Sequence, residues 1–417
     1  MSAPPAGDAA PMRPATVVGL LVLLLGIQPI TTDLYLPALP MLQRELGAGM
    51  PATQLTLSAL IIAFGLAQLV AGPLADRHGR RPVLLVGLAA YALASLGAAL
   101  SPSIEALVAW RVLQGVAMAA SVTGARSILR DLYEPREGAQ VMSRAMGGLG
   151  VIALLSPLAG GLIAQHAGWH AALAVLAAFG AATLAAVALC YVETVPRRDP
   201  CATRLAPLAR NWAIVLAHPG FRAWAGLSAL AYGGLFVVLA GSSFVYIEVL
   251  GVSRIGYGAL MAGNGLAYVV GTVVCRRWLV RHGLRATVRR GAWFSLAGGL
   301  GMALLALGGL AGVAGLFACQ CLFALGHGVH QPCGQAGAVG PFPEKAGTAA
   351  SLSGFLMMLS AFGVGLWMGT ALDGTVRPLA YGLGVFGCAI ALVAWTLVQR
   401  DGEPAARPAP AGGAVSP

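Results

Sequence analysis

Two ionisable residues sit inside apolar runs of this 417-residue chain: Asp33, in LLVLLLGIQPITTDLYLPALP, and Arg111, in VAWRVLQGVAMAA. A charge in hydrocarbon is costly enough to be a functional candidate by default. Burial and a neighbouring cation act oppositely on a carboxylate, so a movement that alters either one switches its proton affinity, which makes an acid and a base at similar depth a means of carrying protons. Counting ~1.5 Å per residue from Thr16, Asp33 lies ~5 Å short of the far membrane boundary, and Arg111, on a helix running the other way, ~10 Å below it. Gln28 and Gln114 fall ~12 and ~15 Å from that boundary. With Tyr35 they are candidates to touch a substrate, and Tyr232, Tyr246, Asn264 and Gln320 could furnish the opposite wall. Helix–helix hydrogen bonding explains such polar residues equally well, and a plain salt bridge between the first and fourth helices would explain Asp33 and Arg111. His327 and His330 share a helix face in ALGHGVHQP, but no third ligand stands at a metal-site spacing.

These residues need elements that cross a membrane. The chain is 58% hydrophobic and only 10% charged, with a mean hydropathy of +0.79, far from the ~25% charged residues of soluble domains. Apolar segments of spanning length fall at 16–37, 53–73, 83–101, 104–125, 141–164, 170–192, 222–246, 255–275, 291–310, 313–336, 347–370 and 379–398. The first is too long for a signal-peptide core and is expected to stay. The formal charge of +11 does not imply nucleic acid. With the N-terminus inside, all of the 26 Lys and Arg except Arg44, Arg254, Arg377 and the in-span Arg111 fall on the inner side, as the positive-inside rule requires. The seven cysteines lie in or beside spans, show no CxxC pair and read as small apolar residues.

The densest charge lies in GPLADRHGRRP, residues 72–82. Topology accounts for Arg77, Arg80 and Arg81, but Asp76, at the end of a span, calls for a specific partner, and Gly79 permits a tight loop. Arg130 and Asp131, at the inner end of the fourth span, are its candidate neighbours. Shifting the chain by 204 residues lays LADRHGRRPVLLVG (74–87) on WLVRHGLRATVRRG (278–291), matching Arg77, His78, Gly79, Arg81 and Gly87 with Arg281, His282, Gly283, Arg285 and Gly291. Such a shift implies parallel halves of six spans each. The polar stretch ETVPRRDPCATRLAPLARN (193–211) divides them.

GPLADRHGRRP resembles the loop signature of the major facilitator superfamily, with Gly72, Asp76, Arg77, Gly79, Arg80 and Arg81 in place, and WRVLQGVAMAA resembles its fourth-helix signature. TDLYLPALP (32–40), ARSILRDLY (125–133), Trp169 and FVYIEVLGVS (244–253) are similar to the Bcr/CflA-type drug:proton antiporters. Two positions depart from the pattern: Ser156 stands where a glycine precedes Pro157 in the antiporter fifth helix, and Val280 stands opposite Asp76 in the second repeat. The resemblance implies that Asp76 latches the two bundles near the start of the eleventh span, and that acids of the first helix and Arg111 take part in proton coupling.

The expected molecule is an all-α polytopic membrane protein of twelve transmembrane helices in two six-helix bundles. Its divisions are a cytoplasmic N-terminus (1–15), an N-terminal bundle (16–192), a cytoplasmic linker (193–221), a C-terminal bundle (222–400) and a disordered tail (401–417). The expected activity is export of small amphipathic compounds or drugs by proton antiport with alternating access. It would proceed across the bacterial inner membrane, with both termini cytoplasmic, as a monomer in contact with lipid. It needs no cofactor or metal beyond the proton gradient. An uptake symporter for a metabolite shares the fold, and a transport-inactive receptor is an alternative of another class. No HExxH, GxSxG, paired intramembrane Asp or nucleotide-binding motif supports an enzyme or an ATP-driven pump.

Overall fold

The computed structural model describes residues 12–195 and 198–402; Arg197, the first eleven residues and positions 403–417 of the expected tail, Arg407 among them, lie outside the described residues. Asp401 and Gly402, also expected in that tail, instead close a short helical turn, and the Gly402 carbonyl accepts a hydrogen bond from Trp224. The described chain is built of helices. The first half comprises α1 (Pro14–Asp33), a short 3₁₀ turn and α2 (Leu39–Glu45), α3 (Met50–His78), α4 (Arg80–Ala99), α5 (Ile104–Leu132), α6 (Pro135–His166) and α7 (Gly168–Cys190). After the linker helix α8 (Leu205–Ala217), the second half follows with α9 (Pro219–Ser243), α10 (Arg254–Leu307), α11 (Val313–Val339), α12 (Ala346–Ala371) and α13 (Arg377–Trp395).

Eleven helices among the described residues are long and apolar enough to cross a membrane. One of them, the 54-residue α10, is two spans joined at Gly283, whose φ of 72° and ψ of 177° break the helix, so the expected segments at 255–275 and 291–310 both fall within it. Gly79, 204 residues earlier, separates α3 from α4 with a φ of 102°. Gly47 and Gly251, again 204 apart, also have positive φ, at 58° and 69°. Only glycine takes these conformations without penalty. The repeat suggested by sequence letters is therefore a repeat of backbone geometry.

The buried apolar side chains of both halves form one continuous core, with Trp169 and Trp224 among the largest fully buried side chains. Their indole N–H groups donate to Glu45 Oε2 (2.8 Å) and to the Gly402 carbonyl (2.9 Å). The bundles meet along two seams, α3 against α12 and α6 against α10. Small residues permit close approach there: Gly161 faces the Arg254 carbonyl and Gly258 the Pro157 carbonyl, while Gly369 abuts Pro51. These contacts cluster at the end of the molecule opposite the arginine-rich loops. At that end Gln54 Nε2 also donates to the Ala240 carbonyl (2.7 Å), and Arg44 pairs with Glu248 (3.2 Å). Of the seven free cysteines, Cys275, Cys319 and Cys333 are buried as expected, whereas Cys190, Cys201 and Cys388 are exposed at helix surfaces and in the linker.

Candidate functional site

The turn after α1 decides where the two intramembrane charges go. Pro29 offers no N–H to the helix, and the Thr31 and Thr32 hydroxyls turn back on the carbonyls of Ile27 (2.5 Å) and Gln28 (3.2 Å). The Thr32 hydroxyl also lies 2.8 Å from Asp33 Oδ1, so its single proton is shared between that oxygen and the Gln28 carbonyl. Among the described residues no ion pair joins Asp33 to Arg111. Arg111 is fully buried, with Nε donating to the Thr56 carbonyl (3.2 Å), Nη1 to Gln114 Oε1 (2.7 Å), and its guanidinium 4.1 Å from the centre of the Tyr35 ring. Tyr35 donates to Thr56 Oγ1 (2.9 Å), Gln114 to Ser95 Oγ (2.7 Å), and Thr31 pairs with the Tyr91 hydroxyl (2.6 Å). This network ties α1, α3, α4 and α5 together. A step of two residues turns a helix by ~200°, so while Tyr35 faces the network, the half-buried Asp33 faces the other bundle, within electrostatic reach of Tyr232 and Tyr257.

Between the bundles lies a cavity of about 230 Å³ that runs from Gln28 and Tyr232 at mid-membrane toward Val339 and Ala350 at the arginine-rich end. Its polar lining is Gln28, Gln68, Arg126, Tyr232, Gln331, Gln335 and Ser353, with Phe64, Met357 and Met358 among the apolar residues. Gln28 Nε2 reaches the Tyr232 hydroxyl at 3.5 Å, joining residues 204 apart across the two halves. The other candidate residues do not line it. Tyr35 and Gln114 belong to the Arg111 network, Tyr246 donates to Gln320 Oε1 (3.2 Å) inside the C-terminal bundle, and Asn264 has a buried Oδ1 with no partner among the described residues. Gln68, Arg126, Gln331, Gln335 and Ser353 were not anticipated. Arg126 follows the 104–125 span of the sequence, but α5 continues to Leu132 and carries Arg126 along the cavity wall. His327 packs beside the Tyr268 ring (centroids 5.5 Å apart), and Tyr268 donates to Gln331 Oε1 (2.8 Å). Among the described residues no group of three or more His, Cys, Asp or Glu side chains could hold a metal.

At the arginine-rich end, Gly72 lies within α3, and the 72–82 stretch makes its break only at Gly79. Arg80, only 3% exposed, donates to Asp76 Oδ1 (2.6 Å) and Asp131 Oδ2 (3.0 Å), and Arg130 stands 3.9 Å from Asp76. Glu193, which sequence reasoning missed, accepts from the backbone N–H groups of Arg80 (3.0 Å) and Arg81 (3.1 Å), capping α4. The missing signal was its place in the linker, where an acid looks like solvated surface. Arg81 donates to the Ala188 carbonyl (2.9 Å) and Arg77 to Thr203 Oγ1 (2.6 Å). Asp76 thus pairs within its own bundle. The reach toward the eleventh span comes from Arg130, whose Nη1 would lie 3.5 Å from a Cβ on Gly347.

A family model described as Major Facilitator Superfamily matches residues 21–365. The chain is 31% identical to a chloramphenicol resistance protein of Pseudomonas aeruginosa, over 77% of this chain and 75% of that protein. It is 27% identical to a bicyclomycin resistance protein homolog of Haemophilus influenzae, over 92% and 97%. A partially occluded, inward-open structure of the xylose transporter XylE from E. coli superposes with a TM-score of 0.72 at 13% identity, covering 93% of this chain and 97% of that one.

Proposed function

This chain belongs to the Major Facilitator Superfamily and is a secondary transporter, not an enzyme, and from that premise we propose that it exports small amphipathic compounds, chloramphenicol among them, in exchange for protons. The observation that carries the reading is the cavity between the bundles, shut at one end by the α3–α12 and α6–α10 seams and extending toward the other. A cavity bounded in this way is one half of an alternating-access cycle, in which the bundles rock about a fixed site. By the positive-inside rule we take the arginine-rich end as the cytoplasmic one, with both termini on the cytoplasmic side of the bacterial inner membrane. Asp33 is the proton carrier, placed where its carboxylate faces the C-terminal bundle and so changes surroundings when the bundles move. Arg111 acts on it from the other side of α1, by holding Tyr35 and the turn that positions Asp33. Asp76 and Arg130 bias the cytoplasmic closure, and no cofactor or metal enters the cycle.

The test is transport by purified protein in liposomes with an imposed pH gradient and radiolabelled chloramphenicol. An antiporter releases protons from an acidic lumen as substrate enters, so accumulation is expected only when the lumen is acidic, and it should collapse with a protonophore. Accumulation driven by an alkaline lumen would identify a symporter and overturn export.

A further inference from the structure

Among the described residues, the cavity lining contains one charged side chain, Arg126, and no carboxylate. Arg126 is exposed, and its exposure is to the cavity, since it sits on α5 beside Gln68, Gln335 and Gly354. Among the described residues no hydrogen bond or ion pair engages it and no acidic group acts on it. An unpaired guanidinium in a low-dielectric recess favours an anion or a strong acceptor beside it and repels a cation.

The neutral groups lean the same way. Gln331 accepts at its carbonyl from the Tyr268 hydroxyl, so the group it can still offer an occupant is its amide N–H₂. Gln68 Nε2 is buried with no partner among the described residues, and Gln335 Nε2 meets only the Met357 sulfur at 4.0 Å. Added to these amides, the five N–H groups of Arg126 give the cavity more donors than the Gln28, Gln68 and Gln335 carbonyls and the Ser353 hydroxyl can match. A buried donor left unmatched is costly, so the occupant that relieves these groups is rich in carbonyl, carboxylate, nitro or sulfonyl oxygens. Asp33, the acid that could attract a cation, is not part of the lining.

We infer that this site accepts neutral acceptor-rich and monoanionic compounds and rejects lipophilic cations, with Arg126 setting that preference. The inference rests on the transport reading above, which supplies a reason for the cavity to be occupied.

Three fluorescent compounds of one size separate the charge classes: 1-naphthylacetate, 1-naphthylacetamide and 2-(1-naphthyl)ethylammonium. Their equilibrium binding to the full-length protein in zwitterionic nanodiscs is expected to favour the acetate and the acetamide over the ammonium by about tenfold or more. Arg126→Glu should reverse the order, Arg126→Lys should keep it, and Gln335→Leu should weaken the acetate and the acetamide together. Equal binding of all three, binding of none, or an order that Arg126→Glu leaves unchanged would overturn the inference. The transport reading fails separately: if the acetate ranks first in binding while a pH gradient drives no compound across the same protein in liposomes, the charge preference stands and proton-coupled export does not.

Discussion

Asp33 and Tyr35 are two residues apart and serve different halves of the molecule, which divides the work expected of Asp33 and Arg111. If Asp33 carries the proton, Asp33→Asn fixes its protonated form. Gradient-driven uptake in liposomes should fall at least about 100-fold while substrate exchange without a gradient survives, since an essential proton-transfer group contributes ~10²–10⁴-fold. Uptake equal to wild type would remove Asp33 from the coupling. Arg111 belongs to a different measurement. Arg111→Ala strips hydrogen bonds from the Thr56 carbonyl and Gln114 Oε1 and the cation from the Tyr35 ring, so it should destabilise the purified protein by about 2–3 kcal/mol, read from thermal unfolding. Arg111→Lys should recover little, because an ammonium lacks the planar fork that reaches both oxygens. That both residues stand within membrane-spanning helices was legible in the sequence, because their place in a hydrophobic run singles them out. That Tyr35 rather than Asp33 meets Arg111 was not, since depth along two helices says nothing of rotation about them. Arg126 escaped notice for a related reason: hydropathy ends the fourth span at Ala125, where Arg126, Arg130 and Asp131 begin to lower it, whereas the helix continues to Leu132.

The twelve segments, their order and the break at Gly79 were all readable from hydropathy and the 204-residue shift, because a span and its flanking charges leave strong local signals. The linker helix α8 was not, since a 13-residue amphipathic stretch within a Pro- and Arg-rich region resembles a polar connection. The two repeat glycines offer a comparison at this scale. Gly283→Ala meets no atom within 4 Å and suffers only the strain of positive φ, about 1–3 kcal/mol. Gly79→Ala suffers the same strain, and its Cβ would stand 2.5 Å from Glu193 Oε2. It must therefore also displace the carboxylate that caps α4, for roughly a further 1 kcal/mol. Thermal unfolding of the two variants should thus show the larger loss for Gly79→Ala. Equal losses would mean that the Glu193 cap contributes nothing to holding the loop.

Across the whole molecule, Gln28 meets Tyr232 and Arg44 meets Glu248, each pair 204 residues apart. Equivalent positions can touch only where they lie beside the axis relating the two halves, so α1 and α9 flank that axis. The sequence could suggest the repeat, but not which faces meet, because that depends on how the bundles are tilted. The Arg44–Glu248 pair is largely exposed and is worth about 0–1 kcal/mol, so Arg44→Ala should leave transport close to wild type. What closes this end is the backbone approach at Gly161, Gly258 and Gly369, and alternating access requires that approach to separate. A covalent bridge at the same place tests the requirement. In a background with Cys190, Cys201 and Cys388 replaced by Ser, Arg44→Cys with Glu248→Cys, joined by a short reducible bis-thiosulfonate linker, should still bind substrate from the arginine-rich end but lose uptake, and a reductant should restore it. Uptake at the wild-type rate with the bridge intact would mean that this end never opens, and the two-sided cycle would have to be abandoned.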